Sequence, residues 1–235
     1  MTVRDTGRRT FFHQRGANAH LAPPHIDFSR TSARHLHIGY ALLLDYLDAA
    51  GPDGRPRLAA VLRAARQTGL STSIDCVSEH SDRFGAVIAP LLPEVDILFA
   101  NDFEAEKLTG LDLGRGATLD KAALVKAAQI LISRGVHQLV VIHCPEGVLA
   151  ASPAEHFWQP SVALPAELIV GAAGAGDALA AGVLYGCHEG WRLDRSLELG
   201  VCAAAASLRD VTCSAKVETV AACLALGRIY GYRAP

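Results

Sequence analysis

Four short apolar runs, "RHLHIGY", "STSIDCV", "VDILFA" and "HQLVVIH", recur between residues 34 and 143, and each pair is separated by a stretch of helical period. This alternation constrains the fold more than any other feature. A run of six or seven apolar residues bounded by polar ones is a strand, and a strand followed by a helix returns to the sheet in parallel. The chain is therefore expected to be α/β, with a mostly parallel sheet and helices on both faces. The intervening helices are "ALLLDYLDAA", "RPRLAAVLRAARQTG" stopped by Gly69, "DRFGAVIAPLL", "DFEAEKLTG" ending at Gly110, and "TLDKAALVKAAQILISRG" capped by Thr118. Short paired strands are expected next, through "ELIV", and then three helices from Asp177, Asp194 and Val217. The start of the chain reads differently, as a β-hairpin with its turn at "DTGR".

Composition excludes several classes. A net charge of −2 over 235 residues gives no electrostatic footprint for nucleic acid. No apolar run reaches membrane-spanning length, and the polar N-terminal stretch lacks the apolar segment of a signal peptide. The six cysteines, at 76, 144, 187, 202, 213 and 223, include no CxxC pair and are expected to be reduced, mostly buried thiols of a cytoplasmic protein.

Chemistry concentrates in "GAAGAGDALAAG", residues 171–182, where Asp177 is the single charge. Following "ELIV", the stretch has strand–loop–helix order, and ligands of parallel sheets sit where such loops enter helices. Glycines let a ligand approach the amides, and a helix N-terminus carries unpaired N–H groups suited to phosphate. Gly174, Ala175 and Gly176 are thus a candidate anion hole. Asp177 beside it is a candidate base for a hydroxyl that attacks phosphorus. The competing reading is a first-turn acid amid tightly packed glycines. A P-loop is excluded because no Gly-Lys-Ser/Thr follows, and the dinucleotide fingerprint fails on its position and its missing acidic strand end. A second pair, Asn101 and Glu104, lies on one face of a helix start. It can hold Mg²⁺ through its water shell, or it can form a capping box.

"AGAGDALAAG" resembles the C-terminal signature of the ribokinase-like (PfkB) carbohydrate kinases, usually G-A-G-D-x-F-x-x-G. The resemblance implies a three-layer αβα fold with a small β lid, ATP and Mg²⁺ as cofactors, and a sugar or nucleoside as substrate. Asp177 is then the catalytic base, with the amides of Gly174 to Asp177 holding the transferring phosphoryl group. "NDFE" is similar to the family's N-x-x-E segment, which assigns Asn101 and Glu104 to the metal. "VVIHCPEGVLA" occupies the place of the nucleotide loop. Gly147 matches its last glycine, but Ile142 and Cys144 replace a threonine and a glycine, leaving His143 or backbone to make the contact. "VCAAAASLRDVTCSAKV", with Ala203, is similar to the segment beside the adenine pocket, although its alanines also suit helix packing.

His35 and His37 share one strand face, a spacing that suits zinc but shows no third ligand. The arginines of "LRAARQTG" read as a solvated helix face. Gly171 and Ala172 stand where the family has Asp-Thr, so no carboxylate is present there for a monovalent cation. By the resemblance, residues 1–18 are a partial β lid hairpin and 19–235 the α/β nucleotide-binding core. The family's opening strands, with most sugar-selecting residues, are absent from this expectation. The chain then reads as a fragment, or as one whose lid a partner completes, for instance in a homodimer. The expected function is ATP-dependent phosphorylation of a sugar-like hydroxyl. The alternatives are an impaired or truncated nucleotide- or sugar-binding protein of the same fold and, further off, a dehydrogenase.

Overall fold

The computed structural model describes residues 13–234. The hairpin expected at the start of the chain falls, apart from His13, outside the described residues. Six strands, β1 (His35–Ala41), β2 (Ser71–Cys76), β3 (Ile97–Asn101), β4 (Leu139–Cys144), β5 (Gly147–Ala151) and β6 (His156–Pro160), form one sheet in sequential order. The helices are α1 (Asp45–Asp48), α2 (Arg57–Gln67), α3 (Asp102–Thr109), α4 (Lys121–Ser133), α5 (Ala175–His188), α6 (Leu193–Ser207) and α7 (Val220–Tyr230). β1 pairs in parallel with β2, His35 opposite Ser71, and β2 pairs in parallel with β3, Ser73 opposite Ile97. Only residues 145 and 146 link β4 to β5, too short a link for a parallel crossover, so the sheet is mixed. The expected α/β fold is the observed one.

The chain divides into two compact units, residues 14–142 with 150–156, and 143–149 with 157–234 plus His13. In the first, α2 presents Leu58, Val61, Leu62 and Ala65 at helical spacing, all buried. Phe84, Phe99, Leu92 and Leu98 are also enclosed, and each such large side chain contributes about 1.5–3 kcal/mol. The arginines of α2 are more than a solvated face. Arg63 lies 2.8 Å from Glu94 and Arg66 3.6 Å from Asp96, and Arg55, just before the helix, lies 3.0 Å from Glu94. Both acids are buried, which requires such partners. Burial pushes the Glu94 carboxyl up, but Arg63 and Arg55 outweigh it and hold it below the usual carboxylate range.

Three local expectations are corrected here. The helix at "ALLLDYLDAA" shrinks to α1, because the buried Asp48 carboxylate takes the Leu42 and Leu44 amides at 3.2 and 2.9 Å in a non-helical turn. "DRFGAVIAPLL" becomes a π turn, Phe84–Ile88, and a 3-10 turn, Ala89–Glu94, since Pro90 and Pro93 cannot donate to an α-helical ladder. Asp120, not Thr118, caps α4, accepting from Ala122 and Ala123 at 2.9 and 3.0 Å. Its carboxylate also complements the helix dipole, which a hydroxyl does not.

In the second unit, α5 and α6 meet backbone to backbone. A β-carbon at Gly182 would lie 2.8 Å from the Gly200 Cα, and one at Gly186 2.7 Å from the Ser196 Cβ. The small residues are what permit this approach. "ELIV" is not a strand: Ala166–Leu168 is a 3-10 turn. The Val170 and Gly171 amides instead donate to the Leu208 carbonyl at 2.8 and 3.2 Å, so no ladder can form there. All six cysteines are free, but only Cys76, Cys202 and Cys223 are buried, half rather than most. No helix among the described residues is long and apolar enough to cross a membrane.

Candidate active site

The start of α5 is built to stay open. Gly174, its N-cap, has φ 79°, a left-handed conformation that glycine adopts without strain. The space also demands glycine, because a β-carbon would lie 2.5 Å from the Cys213 Cβ and 2.9 Å from the Cys213 carbonyl oxygen. Cys213 is itself held by the buried Ser207, whose hydroxyl donates to its carbonyl at 2.9 Å. The first helical bond runs from the Ala178 amide to the Gly174 carbonyl at 2.9 Å, and the N-cap residue, a glycine, has no side chain to cap the helix. The amides of Ala175 and Gly176 thus precede the intrahelical ladder, at the positive end of a 14-residue helix. Asp177 is exposed in the same first turn.

The strand end that faces this turn belongs to β4, not to "ELIV". A β-carbon at Gly176 would lie 3.3 Å from Cε1 and 3.4 Å from Nε2 of His143. Burial pulls the His143 imidazole down to about 4, and the Asp177 charge opposes this only in part. His143 is therefore neutral at ordinary pH.

Asn101 and Glu104, in the other unit, form a complete capping box. The Asn101 side-chain oxygen Oδ1 accepts from the Glu104 backbone amide at 2.9 Å, and the Glu104 carboxylate accepts from the Asn101 backbone amide at 2.9 Å. Ser78 ties the pair together, donating to Glu104 at 2.8 Å and accepting from the Asn101 side-chain amide at 2.7 Å. Glu104 is 2 % exposed, and burial pushes its carboxyl up to about 7. Each carboxylate oxygen uses one lone pair in these bonds and keeps one. No group of three or more His, Cys, Asp or Glu among the described residues suits direct metal ligation. The donor set fits an ion that keeps its own waters, as Mg²⁺ does, rather than one caged by protein.

The remaining candidates are placed as follows. Gly147 is required by the protein itself: a β-carbon there would meet the Gln159 carbonyl oxygen at 2.5 Å and Trp158 at 2.6 Å. Ala203 is 4 % exposed within α6. His35 reaches the Ser71 and Ser73 hydroxyls, and His37 reaches that of Ser73, each at 2.7 Å. The two rings are thus engaged with serines of β2. Ser78, Ser207 and Cys213 were not singled out from the sequence. Each acts by bracing a motif residue distant in the chain, and no local pattern marks that.

Residues 1–220 match the profile described as pfkB family carbohydrate kinase. Adenosine kinase of Saccharomyces cerevisiae is 30% identical over 129 residues, 54% of this chain and 37% of the yeast protein. The structure of 2-dehydro-3-deoxygluconokinase from Thermotoga maritima superposes with TM-score 0.70 at 19% identity, covering 89% of this chain and 65% of that one. Arabidopsis thaliana ribokinase, complexed with ribose and ATP, gives TM-score 0.60 at 22% identity, covering 72% of this chain and 51% of that one. These likenesses show the fold. The chain spans 37% of the yeast relative's length and 65% and 51% of the lengths of the two solved structures.

Proposed function

Since the chain belongs to the pfkB family of carbohydrate kinases, we propose that it transfers the terminal phosphoryl group of ATP to a hydroxyl of a small sugar or nucleoside. The observation that carries this reading is the uncapped N-terminus of α5 with Asp177 exposed in its first turn. Asp177 accepts the proton of the attacking hydroxyl, a role that contributes about 10²–10⁴-fold. The amides of Ala175 and Gly176 donate to the phosphoryl oxygens as charge shifts among them, without reorganising. Gly174 keeps the cradle open, because any side chain there would drive into Cys213. Asn101 and Glu104 hold the water shell of Mg²⁺, which when bound would neutralise phosphate charge. The small substrate class follows the relatives, whose named substrates are adenosine, 2-dehydro-3-deoxygluconate and ribose.

The test is Mg²⁺-dependent ADP release from ATP across a panel of sugars and nucleosides, with Asp177→Asn as control. Release that depends on one acceptor and is lost in the variant supports the reading and names the substrate. ATP binding without release above background for any acceptor would replace it with a binding role.

A further inference from the structure

We propose that His143 is a further donor of this site, a neutral imidazole whose N–H contacts the phosphoryl group cradled at the start of α5. The inference rests on the kinase reading and adds to it a catalytic residue that the glycine motif does not contain.

The first observation is placement. The Cε1–Nε2 edge of the ring lies against Gly176, close enough that a β-carbon at that glycine would sit 3.3–3.4 Å away. The glycine therefore does more than open the helix start to a ligand, because it also lets an imidazole edge reach the same spot. The second is the lack of an internal partner. No hydrogen bond joins either ring nitrogen to another described residue, and the one interaction of the ring is the field of Asp177. The ring is half-buried, and a phosphoryl oxygen at the helix N-terminus would supply an acceptor for its N–H. The third is charge. An imidazolium here would pair with Asp177 and weaken it as a base. Burial keeps the ring neutral, and the partial positive charge of the helix N-terminus acts in the same direction. A neutral N–H adds a donor without that penalty. No proton leaves His143 in the transfer: Asp177 takes the hydroxyl proton, the acceptor oxygen bonds to phosphorus, and the bond to the ADP oxygen breaks with its electron pair.

Two measurements on the whole chain test this. In proton–nitrogen spectra of the imidazoles, with the His143 signals assigned by their loss in His143→Gln, adding Mg²⁺ and a non-hydrolysable ATP analogue shifts them. In kinetics, His143→Leu lowers kcat by about 100-fold, the lower end of the range for removing one donor of this kind, while KM for ATP stays within about twofold. His143→Gln, a neutral side chain that keeps an N–H donor, restores most of the loss. Either a silent imidazole or wild-type kcat in His143→Leu overturns the proposal. ADP release together with a silent imidazole would leave the kinase reading standing without it. Shifted signals in a chain that releases no ADP would overturn the kinase reading alone.

Discussion

Two helix starts, those of α3 and α5, solve the same problem in opposite ways. Each must deal with amides that have no intrahelical partner. At α3 the protein answers internally: Asn101 and Glu104 exchange hydrogen bonds across the first turn, and Ser78 locks both side chains. At α5 the N-cap residue gives no such answer. Gly174 has no side chain to offer, and Asp177, three residues on, is exposed. A satisfied terminus is already stable and gains little from a ligand, whereas an open one is preorganised for an anion. The difference favours the proposed division, with a supporting role for α3 and the chemistry at α5.

The largest expected effect breaks the open end. Asp177→Asn should lower kcat by about 10²–10⁴-fold with little change in the dissociation constant for ATP, measured by ADP release and calorimetry. Next comes Gly174→Ala, compared with Gly110→Ala at the far end of α3. Both glycines have positive φ, 79° and 77°, but only Gly174 has neighbours in the way. The Gly110 variant should lose about 1 kcal/mol and the Gly174 variant distinctly more, up to about 3 kcal/mol, in urea unfolding. Equal losses would remove the steric part of the argument.

The closed end is sharpened by a pair of variants. Asn101→Ala deletes the cap and should cost about 0.5–2 kcal/mol in unfolding. Glu104→Gln keeps a carbonyl acceptor for the Asn101 amide but removes the charge. It should leave stability close to wild type while raising the Mg²⁺ concentration for half-maximal activity by about tenfold, the lower end of outer-shell effects. Unchanged Mg²⁺ dependence would reduce Asn101 and Glu104 to a capping box and nothing more.

A further effect is a pH dependence of stability. The His143 pKa is lowered in the folded chain to about 4 from 6.5, so the unfolded state binds more protons between these values. The stability associated with the neutral ring is present above about pH 6.5 and is lost as pH falls toward 4. Asp177, the charged group facing the ring, narrows the window without reversing it. Urea unfolding of wild type against His143→Gln should show the wild type losing ground from pH 7 to pH 4, and a constant difference would contradict the neutral assignment.

Much of this was legible in the sequence. The period of the apolar runs located β1 to β4, because a buried strand must be short and apolar whatever surrounds it. The glycine loop, Asp177 and the Asn101–Glu104 pair stood out because their proposed roles depend on residues close in sequence. The errors lay where distant groups decided. "ELIV" has strand composition, yet the Leu208 carbonyl draws its following amides away from any ladder. The arginines of α2 look solvated until Glu94 and Asp96 arrive from before β3. The histidines of β1 suit a metal until the serines of β2 occupy their rings.

The sequence by itself determined the α/β class, the family and the loop on which the chemistry is proposed to rest, since periodicity, capping and glycine spacing are local properties of the chain. Only the tertiary structure decided that Gly174 is pinned by Cys213, that Ser78 binds Asn101 to Glu104, and that the ring of His143 lies against Gly176. Those contacts join residues 23 to 39 positions apart, counting Cys213 with Gly174 at the upper end and Ser78 with Asn101 at the lower. Sterics and hydrogen bonding act over a few ångströms of space, and sequence pattern carries no measure of that distance.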